Sequence, residues 1–214
     1  MKSFLIIGMG SLGHHLCRAF SGMKCELMIV DLNADAMEDI LPYVVSARVG
    51  DCTKEEVLKN LDVPSFDACF VCVGSNFEVS LQITNLLKEL RAKKVFSKAD
   101  RDVQEKFLLH NGADVVIFPE KTIALNIAIQ EISDSIFDCL TLTGDYVICE
   151  ILPMKEWVGK TVAELKMREN YRLSLLAVKK GVNVEPMPDI GYRFSEDEHV
   201  IVLGHIRDIE KCAF

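Results

Sequence analysis

A chain of 214 residues, half of them hydrophobic, is long enough for one or two domains that bury about 70% of the unfolded surface. Its net charge of −8 argues against a general nucleic-acid or anionic-lipid binder, because such contacts rely on clustered lysine and arginine. No stretch approaches the roughly 18 to 20 uninterrupted apolar residues of a spanning helix, and the N-terminus lacks the basic region and cleavage site of a signal peptide, so a cytosolic protein is expected.

The apolar run Phe4 to Ile7 reads as a strand that passes directly into Gly8, Gly10 and Gly13, and a second strand, Cys25 to Asp31, ends in an acid about twenty residues on. Strand, glycines, helix, strand and acid in that order form a nucleotide-binding fingerprint. Gly8 permits the tight turn, Gly10 the close approach of backbone to a pyrophosphate, and Gly13 the packing of helix on strand. The phosphates would sit on the helix N-terminus, where unpaired N–H groups and the helix dipole supply positive charge. Asp31 can take both hydroxyls of an adenosine ribose and would repel a 2′-phosphate.

The alternation continues. A helix is expected over Asn33 to Leu41, a strand over Val44 to Gly50, a helix over Lys54 to Leu61 and a strand over Asp67 to Gly74. Phe77 to Arg91 carries Val79, Ile83, Leu86, Leu87 and Leu90 as a helical stripe, followed by a strand from Val95 to Ala99. A helix from Val103 to His110 stops at Asn111 and Gly112, and a last short strand runs from Val115 to Phe118. The pattern is α/β, a doubly wound parallel sheet over residues 1–119.

Ligands of such sheets lie beyond the C-terminal strand ends. The expected cofactor-binding set is therefore Gly8, Met9, Gly10, Ser11, Leu12 and Gly13 in the loop, with Asp31 and Leu32 after the second strand. Asp51 and Cys52 follow the third strand and border the adenine; Val73, Gly74, Ser75 and Asn76 follow the fourth, and Lys98 ends the fifth. Lys98 would counter phosphate charge. Glu120, after the sixth, would repel it unless a divalent cation or a neighbouring base lay between them.

The eight cysteines read as reduced core residues of a cytosolic protein. Cys69 and Cys72 form a C-x-x-C, but strand alternation sends them to opposite faces, where they cannot chelate one ion. From Glu120 to Phe137 a helix is expected with Ile123, Leu125, Ile127, Ile129, Ile132 and Ile136 on more than one face, the mark of a crossover helix packed on a partner subunit. Residues 138–214, rich in strand-like segments such as Tyr146 to Leu152, Leu173 to Val178 and His199 to Leu203, form a second, smaller α+β domain.

Several stretches carry a resemblance along almost the whole chain: G-M-G-S-L-G-H-H-L at 8–16, V-G-S-N at 73–76, S-K-A-D at 97–100, N-G-A-D-V-V-I-F-P-E-K at 111–121, W-V-G-K-T-V-A-E-L at 157–165 and V-I-V-L-G-H at 200–205. They resemble the cytosolic regulatory subunits of bacterial Trk and Ktr potassium uptake systems, built from RCK domains, with a TrkA-N half and a TrkA-C half. The resemblance implies homodimers assembled to an octameric ring, peripheral at the inner face of the membrane on an integral-membrane potassium-translocating subunit, with no enzymatic step. It implies that Gly8, Gly10, Gly13, Asp31 and Lys98 surround the nucleotide, and that Glu120 can help hold a divalent cation beside ATP. Ser11 departs from the arginine usual in ATP-responsive members, and a neutral hydroxyl cannot neutralise a triphosphate; NAD(H), ADP or AMP are thereby favoured over ATP. Some relatives bind cyclic di-AMP with an arginine where Arg168 stands, yet Glu169 adds an unfavourable carboxylate here. An NAD-dependent oxidoreductase would use the same loop and acid, but His199 and His205 have no evident catalytic partner. A nucleotide sensor for a different partner is the third reading.

Overall fold

In the computed structural model, which describes residues 1–74, 76–131 and 135–213, the first apolar run forms β1 (Lys2–Ile7) and leads through the glycines into α1 (Ser11–Ser21). There follow β2 (Cys25–Asp31), β3 (Ser46–Val49), α2 (Glu55–Lys59), β4 (Ala68–Val71), α3 (Phe77–Glu89), β5 (Val95–Lys98), α4 (Asp102–His110) and β6 (Val115–Ile117). All six strands are parallel, in the order β3-β2-β1-β4-β5-β6. The order reverses between β1 and β4, so the C-terminal ends of those two strands open a crevice.

Alternation along the strands builds two apolar layers. Leu5 and Ile7 of β1 join Val30, Cys69, Val71, Ile83 and Leu87, whereas Ile6 joins Ile29, Phe70, Cys72, Cys17 and Ile40. Cys69 and Cys72 thus contribute to different layers. Complete burial of a side chain such as Ile6 contributes about 1.5–3 kcal/mol.

Two expected helices differ. In place of a helix over 33–41 the chain makes two 3-10 turns, Asp35–Met37 and Leu41–Tyr43. Asp31 Oδ1 accepts the N–H of Asn33 at 2.8 Å, and Asn33 Oδ1 that of Asp35 at 3.1 Å. These side-chain bonds offer the backbone an alternative to a helix, and Pro42 supplies no donor to extend one. The helix expected over 120–137 is α5 (Pro119–Glu131), and Ile136 and Phe137 belong instead to a strand, β7 (Ile136–Thr143). Ile132 lies outside the described residues. The spacing of Ile132 and Ile136 mimics a helical stripe, but Ile136–Thr143 pairs with β8 (Tyr146–Ile151) through a two-residue turn that places Gly144 at φ +54°. Ile123, Leu125 and Ile127 of α5 are exposed on the single chain.

The chain divides into two compact units, Met1–Pro119 and Glu120–Phe214. The second holds α6 (Val162–Leu165), α7 (Met167–Asn170), β9 (Ser174–Lys180), β10 (Asn183–Pro186), β11 (His199–His205) and α8 (Ile206–Ala213) around an antiparallel sheet, β10-β9-β11-β8-β7. Trp157 and Phe194 anchor its core with Ile151, Leu173, Val200 and Ile209. Thr161 and Glu164 close α6 reciprocally: the Thr161 N–H donates to Glu164 Oε2 at 2.7 Å, and the Glu164 N–H donates to Thr161 Oγ1 at 3.2 Å.

The expectation that all cysteines are reduced is corrected here. Cys139 of β7 and Cys149 of β8 lie directly opposite each other, Cα atoms 4.2 Å apart, and are joined by a disulfide. Only the register of the hairpin, which cysteine counting does not reveal, brings them together. Six other cysteines are free.

Candidate functional site

The crevice at the β1–β4 reversal is a cavity of about 540 Å³, a size suited to a small-molecule ligand. Gly8, Gly10, Ser11, Leu12, Asp31, Leu32, Asp51, Cys52, Val73, Gly74 and Lys98, all expected from sequence, line it. Met9 and Gly13 are close by but buried beneath the loop, and Asn76 caps α3 by accepting from the N–H groups of Glu78 at 3.0 Å and Val79 at 3.3 Å. Ser75 lies outside the described residues. Glu120 stands in the first turn of α5, in the other compact unit. No group of three or more metal-ligating side chains occurs among the described residues. Arg168 lines a separate depression of about 380 Å³ in the second unit with Lys166, Leu173 and Ile190.

The loop turns because Gly8 adopts φ +95°, and a Cβ there would press on the Val73 backbone at 3.1 Å. A Cβ at Gly13 would collide with the Gly8 carbonyl oxygen, so only glycine lets α1 pack against the turn. The result is a helix N-terminus at the cavity. Gly10 occupies the cap position; no side chain caps α1 and no acid stands in its first turn. That arrangement leaves the N–H groups of the first turn for an anionic ligand, as a pyrophosphate requires.

Asp31 is oriented by backbone. Its Oδ2 accepts the Met9 N–H at 2.6 Å and its Oδ1 the Asn33 N–H at 2.8 Å, which leaves further lone pairs for ribose hydroxyls. Met9 therefore acts through its backbone rather than its side chain. Asp51 Oδ1 accepts both the hydroxyl of Thr53 at 2.6 Å and its N–H at 3.0 Å, and these bonds hold its carboxyl below the ordinary pKa. Burial, with the Asp51 and Asp31 charges adding to it, pushes the Cys52 thiol up to about 12. Cys72 is also raised to about 12, chiefly by burial. Both are neutral wall groups rather than nucleophiles.

At the other end of the cavity, Lys98 Nζ pairs with Asp100 Oδ1 at 2.9 Å and lies over Gly74, where a Cβ would stand 3.1 Å from the ammonium. Sequence reasoning missed Asp100, together with Ile7, Val30, Gly50, Cys72, Val79 and Ile83 in the lining. Ile7 and Val30 belong to β1 and β2, Cys72 follows β4, and Val79 and Ile83 belong to the α3 stripe. Asp100 could have been found by counting two residues past the end of β5.

The TrkA-N domain family matches residues 4–119, and the TrkA-C domain family matches residues 147–213. The chain belongs to the TrkA family. This TrkA-family chain is 33% identical to the Ktr system potassium uptake protein C of Bacillus subtilis (strain 168) over 210 residues, covering 98% of this chain and 95% of the relative. It is 30% identical to the Ktr system potassium uptake protein A of the same organism over 213 residues, with the same coverage. Among solved structures, the GsuK channel bound to NAD superposes with a TM-score of 0.70 at 17% identity, over all of the TrkA-family chain and 39% of the channel chain. The chain thus spans well under half of that channel's length, and the likeness concerns the fold. No described helix of the TrkA-family chain is long and apolar enough to cross a membrane.

Proposed function

We propose that this chain is the nucleotide-binding regulatory subunit of a potassium uptake system. It acts in the cytoplasm as a homodimer, assembled to an octameric ring on an integral-membrane potassium-translocating subunit. Two relatives at 30–33% identity over nearly their full length are potassium uptake proteins, which supports this partner. The exposed Ile123, Leu125 and Ile127 of α5 supply an apolar surface for the second copy. The observation that carries the nucleotide reading is the uncapped α1 N-terminus at a cavity that the backbone-oriented Asp31 also lines.

Regulation needs no bond to break. A nucleotide that binds one ring shape more tightly than another shifts the ring toward that shape, and the membrane subunit responds to the difference. The side chains agree with a sensing site rather than a catalytic one: Cys52 and Cys72 are neutral, and His199 bonds Glu150 in the other unit. Ser11 offers a neutral hydroxyl where a terminal phosphate would need charge, so NAD(H), ADP and AMP are favoured over ATP. The reading requires neither a cation at Glu120 nor cyclic di-AMP at Arg168.

Calorimetric titration with ATP, ADP, AMP, NAD+ and NADH tests the proposal. Adenine nucleotides bind the wild-type chain, ATP less than tenfold more tightly than the others, and Asp31→Ala weakens all of them by about 10- to 100-fold through loss of hydrogen bonds to a charged acceptor. Failure to copurify with a coexpressed potassium-translocating membrane subunit, or turnover of NADH with small-molecule substrates, would replace the proposal with a sensor for another partner or an oxidoreductase.

A further inference from the structure

Asp100 stands where a phosphate-binding pocket has least use for a carboxylate. It lines the cavity beside Gly74 and Lys98. It lies between β5 and α4, where its backbone N–H donates to Gln104 Oε1 of α4 at 2.8 Å. Lys98 comes from the end of β5, is only 17% exposed, and holds Asp100 Oδ1 at 2.9 Å. A Cβ at Gly74 would stand 3.1 Å from the Lys98 ammonium and 3.6 Å from Asp100 Oδ2, so both charged groups crowd the floor made by that glycine.

The strand order sets these groups in a line. Asp31 ends β2, the glycine loop follows β1, Gly74 follows β4, and Lys98 and Asp100 end and follow β5; the order β2-β1-β4-β5 is also their spatial order. A ligand whose ribose is held by Asp31 and whose pyrophosphate lies on the loop presents whatever comes beyond the pyrophosphate to Lys98 and Asp100. A terminal phosphate arriving there meets a carboxylate that already engages the lysine, and must either displace that ion pair or accept like-charge repulsion in a partly desolvated site. A hydroxyl meets no such obstacle, since it can donate to Asp100 and accept from Lys98 together without separating them.

We infer that Asp100 is a specificity-determining residue that disfavours a terminal phosphate at the Lys98 end of the cavity and favours a hydroxyl-bearing group there. The ligand class is then a dinucleotide, an adenosine joined through its pyrophosphate to a second ribose. The inference rests on the reading of the cavity as an adenine-nucleotide site and adds a selection against charge that is independent of Ser11.

Titration of the full chain with ATP, ADP and NAD+ tests it, with Asp100→Asn and the shorter Asp100→Ser as two charge-removing variants. Glu89→Gln, at the end of α3 remote from Asn76, controls for net charge. The wild-type chain binds NAD+ at least as tightly as ATP. Either Asp100 variant tightens ATP relative to ADP at least fivefold and moves the ATP-to-NAD+ affinity ratio at least tenfold toward ATP, whereas Glu89→Gln moves it less than twofold. If folded Asp100 variants keep ADP binding and the ratio moves less than twofold, the inference is overturned and the site reading stands. If the wild-type chain binds none of the three, both fall.

Discussion

The two compact units use partly buried carboxylates in opposite ways. In Met1–Pro119 the groups at the strand ends point toward a cavity: the first turn of α1 carries no side-chain cap, and Asp31 is held by backbone with lone pairs to spare. In Glu120–Phe214 the corresponding groups satisfy one another. Glu150 of β8 accepts from Lys179 of β9 through both oxygens at 2.8 Å, and bonds His199 of β11 at 2.5 Å. A partly buried carboxylate with two partners from its own chain is a structural element; a carboxylate oriented by its chain but left open toward a cavity is a binding group. The contrast separates the site from the scaffold without reference to any motif.

The sharpest test is to damage one unit alone. Trp157→Ala removes a fully buried side chain that meets Phe194 and Tyr171, and is expected to cost about 3–5 kcal/mol. Denaturant unfolding followed with and without nucleotide should show the loss in a transition that nucleotide does not shift; a loss of nucleotide affinity of equal size would show that the units are not distinct in this sense. A smaller effect is expected from Ser11→Arg, which adds a charged donor to the open side. ATP should tighten relative to ADP by about tenfold, roughly 1.4 kcal/mol, read by calorimetry, and an unchanged ratio would place the third phosphate away from Ser11.

The smallest effect concerns the closed cluster. Burial raises the pKa of Glu150, but the hydrogen bonds and charges of Lys179 and His199 outweigh it and leave the group below its usual value of 4.5. A carboxylate with a depressed folded pKa contributes stability that is present above the unfolded value and is lost as the pH falls through the folded one. Melting of the second unit should therefore weaken with acidification below pH 4.5, and Glu150→Gln should flatten that slope. A slope unaltered in the variant would assign acid sensitivity elsewhere.

The parallel sheet and most of the cavity were legible because their signals are local. The run into Gly8, Gly10 and Gly13, the acid at Asp31 and the period of strand and helix all act over a few residues. What escaped the sequence depends on side-chain bonds that compete with the helical backbone, or on partners brought together by strand register and order. The turns after Asp31 replaced a helix because Asp31 and Asn33 bond the backbone ahead of them. The disulfide arises from the register of β7 on β8. Asp100 declares its role only once the order β1-β4-β5 sets it at the same crevice as the glycine loop. Ile136 belonged to a stripe of helical spacing, and the edge of an antiparallel sheet claimed it instead.

The burial of the thiols has a practical side. Among the described cysteines outside the disulfide, Cys17, Cys52, Cys69, Cys72 and Cys212 are buried and Cys25 alone is partly exposed. Cys25 opens β2, at the end of the strand opposite Asp31. A thiol-directed fluorophore should therefore label the native chain at one position, the full length of a strand away from the crevice, and leave the crevice itself untouched.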